Sequence, residues 1–205
     1  SQLLADQFFG TSKALKPVAF DPEGAKKLLA EAGLPNGFKL TLHGPSGRYT
    51  NDVKIAEAVA QMLSRVGIET TIETLPPAVF FNRASIGANG QPEFSFILVG
   101  WSADTGETSG SLKPLLATFD KDKGTGTANR GRYSNPELDK LIEQAQATVD
   151  DAKRAEILAK ASELAMNDAA LIVSHYQVNT WGARKGLSID ARADEYTIAK
   201  GAVEK

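Results

Sequence analysis

The sequence predicts an α/β fold with a mainly parallel central sheet flanked by helices. In the first half of the chain, segments with strand patterns alternate with segments of helical periodicity, at lengths typical of right-handed crossover units. The apolar run FSFILVGW lacks alternation, which is typical of a strand covered on both faces. The chain has 205 residues, 42% of them hydrophobic, which is enough for a substantial core.

The first helix is predicted within DPEGAKKLLAEAG, residues 21–33. Asp21 is a typical N-cap, Pro22 suits the first helical position, and Gly33 suits the position after the last turn. Apolar side chains recur at helical spacing and predict a buried stripe: Leu28, Leu29 and Ala32.

The second helix is predicted within NDVKIAEAVAQMLSRVG, residues 51–67, and is the most regular in the chain. Its apolar stripe consists of Ile55, Ala56, Val59, Met62, Leu63 and Val66. FKLTLHG precedes it as a half-buried strand, and IETTIETL follows it as a β-branched strand. A short helix is predicted in PPAVFFNRASIG, before the apolar run.

The second half of the chain is predicted to be mainly helical. A short helix near SLKPLLATF precedes a glycine-rich excursion, DKDKGTGTANRG. SNPELDKLIEQAQATV carries a capping box, in which Ser134 is the predicted N-cap and Glu137 its partner. DDAKRAEILAKASELAMND forms another helix with acids at its N-terminal end, and ALIVSHYQV is predicted to be a further strand.

Composition excludes several classes of function. The chain has no cysteine, so disulfides and zinc–thiolate sites are excluded and the redox compartment stays undecided. A net charge of -2 and no basic stripe argue against a nucleic-acid partner. The apolar stretches fall short of the roughly 20 residues of a membrane-spanning helix. The opening segment SQLLADQFFG shows no signal peptide, as in a processed chain or a fragment.

No motif predicts catalysis, a cofactor or a metal site. GPSGRYTND lacks the lysine and the glycine spacing of a phosphate loop, so an ordinary strand-to-helix turn is expected there. His43 and His175 are far apart in the sequence and are interpreted as structural side chains. The chain is therefore predicted not to be an enzyme.

The stretch VGWSADTGETSG places Trp101 and Asp104 just after the apolar run. In parallel α/β sheets, ligands bind beyond the carboxyl ends of the strands. An indole offers a flat apolar wall with a cation-attracting face, and a carboxylate can pair with an ammonium group. Two interpretations remain open at this point: an amine-binding site, or a tryptophan that covers the core edge beside an aspartate that caps the turn.

Four segments together resemble a known family. DPEGAKKLLAEAGLPNGFKLTL, NDVKIAEAVAQMLSRVGIETTIE, GWSAD and NRGRYSNPELDKLIEQA, in this order, resemble the C-terminal lobe of the family 5 solute-binding proteins of ABC transporters, of the peptide/nickel type. The resemblance spans nearly the whole chain. It implies a periplasmic-binding-protein-like lobe that closes with a second lobe over a ligand and then docks on a membrane permease.

The resemblance implies a role for Asp104. In peptide-binding relatives the aspartate of the W-x-x-D word receives the peptide ammonium, and that word here begins at Trp101. Ser102 and Thr105 complete the expected ligand-binding set. The expected partners are a peptide or another amine-bearing solute, the first lobe of the same protein and an ABC permease, in a periplasmic or lipid-anchored extracellular location.

The chain also departs from the family pattern. TGETSG replaces the Pro-Asp-rich word that follows the aspartate in many relatives, so the rest of the pocket is expected to differ. Oligopeptide-type relatives place arginines a little before the word, whereas EFSFILVG has no basic residue. A short peptide held at both ends is therefore disfavoured, and a longer peptide or a different amine is the alternative ligand. The lack of a histidine near the word disfavours a nickel ligand.

The resemblance also implies a division of the chain. Residues 1–20 are expected to enter from a missing first lobe, 21–178 to form the second lobe, and 179–205 to cross back as a poorly ordered or edge-borrowing tail. Two alternatives stay open. One is a small α/β enzyme that uses Asp104 or Glu107 as its acid, and the other is an interaction module that buries Trp101 in a dimer.

Overall fold

The computed structural model describes residues 2–192 and 195–204, which form two compact units. The sheet unit consists of Val18–Trp101 and Arg130–Arg132. The helical unit consists of Ser1–Pro17, Ser102–Asn129 and Tyr133–Lys205. The expected division at residues 20 and 178 stays a prediction.

The sheet unit is built on two parallel strands joined by a helix. The elements are α1 (Pro22–Glu31), β1 (Phe38–Pro45), α2 (Asp52–Arg65), β2 (Ile68–Leu75) and α3 (Pro77–Ser85). β1 and β2 pair in parallel over their whole length, from Phe38↔Ile68 to Pro45↔Leu75. All five predicted elements are confirmed, and Asp21 caps α1 as expected, accepting a hydrogen bond from the backbone N–H of Gly24.

The strands start together because two glycines meet. Gly37 precedes β1 with φ +68°, and a Cβ on it would lie 1.8 Å from the carbonyl oxygen of Gly67, which precedes β2. Only a residue without a side chain permits this approach. The two turns thus set the register with which β1 and β2 begin.

The apolar run FSFILVGW is not a full central strand, so that prediction is wrong in extent. It meets β1 through one parallel bridge, His43↔Ile97. The backbone N–H of His43 donates to Phe96 (3.0 Å), and that of Leu98 donates to His43 (2.8 Å). On both sides of this bridge the chain is held by other contacts: the backbone N–H of Glu93 donates to the carbonyl of Arg83 on α3 (3.0 Å), and the Gly100 carbonyl accepts from Tyr49. The apolar pattern predicted contact with the sheet but not the length of the ladder.

A small core supports the sheet unit, and its fully buried side chains include Leu42 of β1 and Phe80 of α3. His43 stacks on Phe94, with ring centroids 4.0 Å apart, and its Nε2 lies 3.3 Å from Glu73. Arg83 bridges Glu73 (3.2 Å) and Glu93 (2.7 Å). His43 thus makes structural contacts in this unit.

The predicted stripe of α1 is not buried. α1 has no buried residue; Leu29 is partly buried, Ala32 is exposed and Leu28 is 66% exposed. On α2, Ala56 is buried, but Met62 is 45% exposed. Helical periodicity predicts that a helix forms, whereas the elements that cover it depend on tertiary packing.

The helical unit packs three helices around one core. They are α4 (Ser109–Leu116), α5 (Pro136–Ala147) and α6 (Asp151–Asn167), as the sequence predicts. Their buried residues form one cluster, whose largest members are Leu112, Leu115, Leu116, Leu138, Ile142 and Leu158. Asp150 caps α6 by accepting a hydrogen bond from the backbone N–H of Lys153 (2.9 Å).

The predicted capping box of α5 is wrong by one residue. Asn135, not Ser134, is the N-cap, and its side-chain oxygen accepts from the backbone N–H groups of Glu137 (3.0 Å) and Leu138 (3.3 Å). Pro136 then occupies the first helical position, for which its fixed φ is suited. The Ser134 hydroxyl instead hydrogen-bonds the hydroxyl of Thr118 (2.8 Å).

The predicted strand ALIVSHYQV is also wrong, because residues 170–178 form no strand. Ile172 is 78% exposed and Val178 is 82% exposed. The segment is tied to the start of the chain by the hydroxyl of Tyr176, which lies within hydrogen-bond distance of the carbonyls of Gln2 (2.7 Å) and Leu4 (2.9 Å). A strand pattern cannot form a ladder where no paired edge is available.

The tail contains a short ladder of its own. β3 (Leu187–Ile189) pairs antiparallel with β4 (Ala202–Glu204), which follows a 3-10 turn at Ala199–Gly201. Whether residues 179–205 cross back to another lobe stays a prediction. Within the described part of the chain, no helix has the length and apolarity needed to cross a bilayer.

The cap of α5 can be tested by a matched pair of variants. We expect Asn135→Ala to lower the free energy of unfolding by about 0.5–2 kcal/mol, because two N–H groups lose their acceptor. Ser134→Ala should cost less, since it removes only an exposed hydroxyl contact. Equilibrium urea unfolding followed by circular dichroism measures both. A larger loss for Ser134→Ala would favour the capping box over the observed cap.

Candidate functional site

The parallel order of the sheet unit brings several loops to one edge. β1, β2 and the segment at Ile97 run in the same direction, so their carboxyl ends lie together. The backbone N–H of Ser46, just after β1, donates to the carbonyl of Leu75 at the end of β2 (2.8 Å). Residues 46–51 and 98–101 therefore leave the sheet at the edge where ligands bind in α/β folds.

The loop after β1 is organised by Asp52, which is 5% exposed. Its carboxylate accepts from the backbone N–H groups of Arg48 (2.8 Å), Tyr49 (3.1 Å) and Val53 (2.9 Å). Burial alone would raise the pKa of Asp52, but these backbone donors outweigh it and hold the pKa below its usual value. The amides that a phosphate loop would offer to an anion are thus used by the protein's own carboxylate.

Tyr49 connects this loop to the residue before Trp101. Its hydroxyl donates to the carbonyl of Gly100 (3.3 Å). A Cβ on Gly100 would lie 2.8 Å from the Tyr49 ring, so the glycine permits the close approach of the ring.

Arg48 is a candidate residue that sequence reasoning missed. Its guanidinium carbon lies 5.1 Å from the centroid of the Tyr49 ring, and its side chain forms no ion pair with the described residues. The residues just before Trp101 contain no cation, but the fold supplies one from the loop after β1. The available signal was the position of Arg48 after a predicted parallel strand, which places it at the same edge as Trp101.

The predicted site residues are exposed, and they divide between the two units. Trp101 is the last residue of its segment of the sheet unit and is 40% exposed. Ser102, Asp104 and Thr105 belong to the helical unit and are all exposed. An indole with this exposure keeps ring surface available to a ligand, which a tryptophan fully used to cover the core would not.

Asp104 lies at the tip of a tight turn. The backbone N–H of Gly106 donates to the carbonyl of Ala103 (3.0 Å), so Asp104 and Thr105 occupy the two corners. Ala103 is 2% exposed and fixes the base of the turn. The Asp104 carboxylate accepts from the Ser102 hydroxyl (3.0 Å), and no lysine or arginine of the described chain pairs with it.

Phe9 holds the far side of this turn. Its backbone N–H donates to the carbonyl of Gly106 (3.2 Å), and its carbonyl accepts from the backbone N–H of Thr108 (3.0 Å). The Thr108 hydroxyl donates to the same carbonyl (2.7 Å). Asp104 therefore lies in a turn that is closed by its own backbone hydrogen bond and is bonded to Phe9 on its C-terminal side.

Comparison with known proteins identifies the family. Residues 1–123 match the family described as "Bacterial extracellular solute-binding proteins, family 5 Middle". The chain belongs to this family. Its α/β fold, with a parallel sheet and flanking helices, matches structures of periplasmic binding proteins, so the predicted fold class is confirmed.

Named relatives of this family 5 protein are binding proteins. The chain is 31% identical over 163 residues to the glutathione-binding protein GsiB of Escherichia coli (strain K12), covering 78% of the chain and 31% of the relative. It is 33% identical over 160 residues to heme-binding protein A of Haemophilus influenzae, covering 76% and 28%. The chain thus spans about a third of the length of these relatives.

A solved structure of similar fold is the ABC transporter-associated periplasmic binding protein DppA from Helicobacter pylori, in complex with the peptide STSA. Its TM-score is 0.72 at 27% sequence identity, over 82% of this chain and 31% of that chain.

Glu107, the alternative acid in this family 5 chain, is already paired. Its carboxylate lies 3.3 Å from the guanidinium of Arg154 and also accepts from the Ser109 hydroxyl. Among the described residues, no cluster of three or more histidine, aspartate or glutamate side chains could hold a metal ion. Glu107 and Arg154 thus pair with each other beside the turn. Asp104, by contrast, has no cationic partner in the described chain.

The role of Asp52 gives a pH prediction. Because its folded pKa lies below the unfolded value of about 4, its stabilisation is complete above that pH and is lost as the pH falls through the folded pKa. Asp52→Asn should lower the free energy of unfolding by about 1–3 kcal/mol at neutral pH and flatten its acid dependence.

Urea unfolding between pH 2 and 7, with pH steps of about half a unit around the carboxyl range, measures this effect. Glu57→Gln, which removes an exposed charge from the same helix, serves as the control. An acid dependence that is equally steep in Asp52→Asn and in the parent would contradict the assigned role.

Proposed function

We propose that this chain is the C-terminal lobe of the substrate-binding component of an ABC importer. The complete receptor captures peptides or related amine-bearing solutes by closing two lobes around them, outside the cytoplasm, and delivers them to a membrane permease. The observation that carries the proposal is the exposed carboxylate of Asp104, presented on an anchored turn and without a cationic partner in the described chain, in a family 5 protein.

The chemistry of this position suits an ammonium group. A carboxylate with a single hydroxyl donor retains lone pairs for N–H groups, and a charge-assisted bond is about twice as strong as a neutral one. In the sheet unit, the exposed indole of Trp101 provides an apolar wall with a cation-attracting face. Ser102 and Thr105 add hydroxyl groups that can donate to or accept from the ligand.

Arg48 extends the proposal to a negative end group. The guanidinium is the planar partner that carboxylates prefer, and it lies at the carboxyl edge of the sheet, where Tyr49 ties its loop to Gly100. Peptides carry both an ammonium and a carboxylate. Within the sheet unit, Arg48 is the candidate group for the carboxylate, although the residues just before Trp101 offered only an apolar run.

A ligand-binding role fits the site better than catalysis with Asp104 or Glu107 as the acid. Catalysis by Glu107 would require a carboxylate free to exchange protons, whereas Glu107 is held by Arg154 and Ser109. Asp104 has no histidine or second acid as a hydrogen-bond partner among the described residues. If the purified receptor turned over a substrate, that result would support the enzyme alternative.

The amine role of Asp104 is tested on the full-length receptor with free tripeptides and their N-acetylated counterparts. We expect Asp104→Asn to weaken binding of the free peptides roughly tenfold to a hundredfold, because a charge-assisted bond is lost. Isothermal titration calorimetry measures both sets. Asp122→Asn, which removes an exposed acid from the helical unit, is the control. Free peptides that bind Asp104→Asn as tightly as the parent would refute the role.

The carboxylate role of Arg48 is tested with the same peptides and their C-terminal amides. Arg48→Met should weaken the free acids by about tenfold or more and leave the amides nearly unchanged, because only the acids carry the negative group. Arg65→Met, at an exposed position on α2, controls for loss of a positive charge in the same unit. Equal losses for acids and amides would show that Arg48 acts on the loop and not on the ligand.

A further inference from the structure

The turn that carries Asp104 has a side-chain anchor on α6. Arg154 lies in the first turns of that helix. Its guanidinium lies 4.9 Å from the centroid of the Phe9 ring, and its Nη2 lies 3.3 Å from the Glu107 carboxylate. Phe9 and Glu107 are the two residues of the parallel bridge that follows the turn. One side chain therefore contacts both partners of that bridge.

This contact is more than a solvated surface ion pair. The side chains of Arg154 and Glu107 are 31% and 22% exposed, so water screens their attraction less than it would at the surface. The Arg154 Nε is buried and has no hydrogen-bond partner in the described structure. Asp151, one turn away on α6, contacts the same Nη2 at 3.2 Å and fixes the direction of the guanidinium.

The turn is also held by backbone hydrogen bonds, by the Thr108 hydroxyl, which donates to the Phe9 carbonyl, and by the buried Ala103. Gly106 and Thr108 bond to Phe9 through the main chain, but these bonds do not reach α6. Phe9 also packs against the helical core, and Arg154 adds a charged contact from α6 to both Phe9 and Glu107. Removal of Arg154 would leave the position of Asp104 less well defined relative to α6, although Asp104 itself would keep its hydrogen bond from Ser102.

We propose that Arg154 is a positioning residue for ligand binding: by holding Phe9 and Glu107 against α6, it pre-organises the turn that presents Asp104 to the ligand ammonium. The inference rests on the proposed function of Asp104. If the turn became ordered only when the ligand bound, the lost conformational entropy would lower the affinity. A turn that is already ordered avoids this cost.

The binding experiment uses the full-length receptor and the pairs of free and N-acetylated tripeptides. Arg154→Met should weaken the free peptides roughly two- to tenfold and the acetylated ones much less. In an Asp104→Asn background the same substitution should have little further effect, because the two residues act through one contact. Arg154→Lys keeps the charge but loses the guanidinium over the Phe9 ring, and should restore part of the affinity. Lys160→Met, at an exposed position on α6, is the control for charge.

Amide hydrogen exchange tests the positioning without any ligand. Arg154→Met should speed exchange at Gly106 and Thr108, whose N–H groups are bonded within the turn and to Phe9, while α5 keeps its protection. Unchanged exchange at these two amides overturns the proposal, and so does an equal loss of affinity for free and acetylated peptides.

The two proposals fail separately. If Asp104→Asn binds free peptides as tightly as the parent, the amine role is wrong, and the ligand-binding part of the Arg154 proposal is wrong with it. Faster exchange at Gly106 and Thr108 would then still show that Arg154 holds the turn. If Asp104→Asn weakens the free peptides but Arg154→Met changes neither exchange nor affinity, only the positioning role is refuted.

Discussion

The sheet unit depends on the parallel pairing of β1 and β2 in a single register. The close approach of Gly37 and Gly67 starts the two strands together, and eight residue pairs keep them aligned to Pro45 and Leu75. Because the segment at Ile97 joins β1 in the same direction, the loops after all three segments leave at one edge. A reversed third segment would carry Trp101 to the opposite edge from Arg48.

Both loops that carry candidate ligand groups are held by groups of the protein itself. Asp52 gathers the amides of the loop that bears Arg48, and Phe9 pairs with the backbone of the turn that bears Asp104. In each case the backbone of the loop is hydrogen-bonded within the protein, while the candidate ligand-binding side chain has no oppositely charged partner in the described chain. A binding protein gains affinity from such pre-organisation, because less conformational entropy is lost when the ligand arrives.

Relatives in this family are binding proteins, and their ligands differ from one relative to another. Relatives are named for glutathione and heme binding, and one solved structure contains a peptide, so the same fold serves different ligands. The substituted word TGETSG contributes Glu107, which pairs with Arg154, and Thr108, which bonds to Phe9. Side chains of this word thus help to hold the loop.

The sequence by itself determined the α/β class, the helices from α1 to α6 and both paired strands of the sheet unit, because periodicity, caps and glycine positions act over a few residues. Local patterns did not determine the single bridge at Ile97, the absence of a strand at residues 170–178 or the exposure of Leu28, since pairing and covering depend on which neighbours are present. Asn135 displaced Ser134 as the cap because Pro136 suits the first helical position. Arg48 became a candidate only when parallel pairing, a long-range property, brought its loop to the edge that Trp101 occupies.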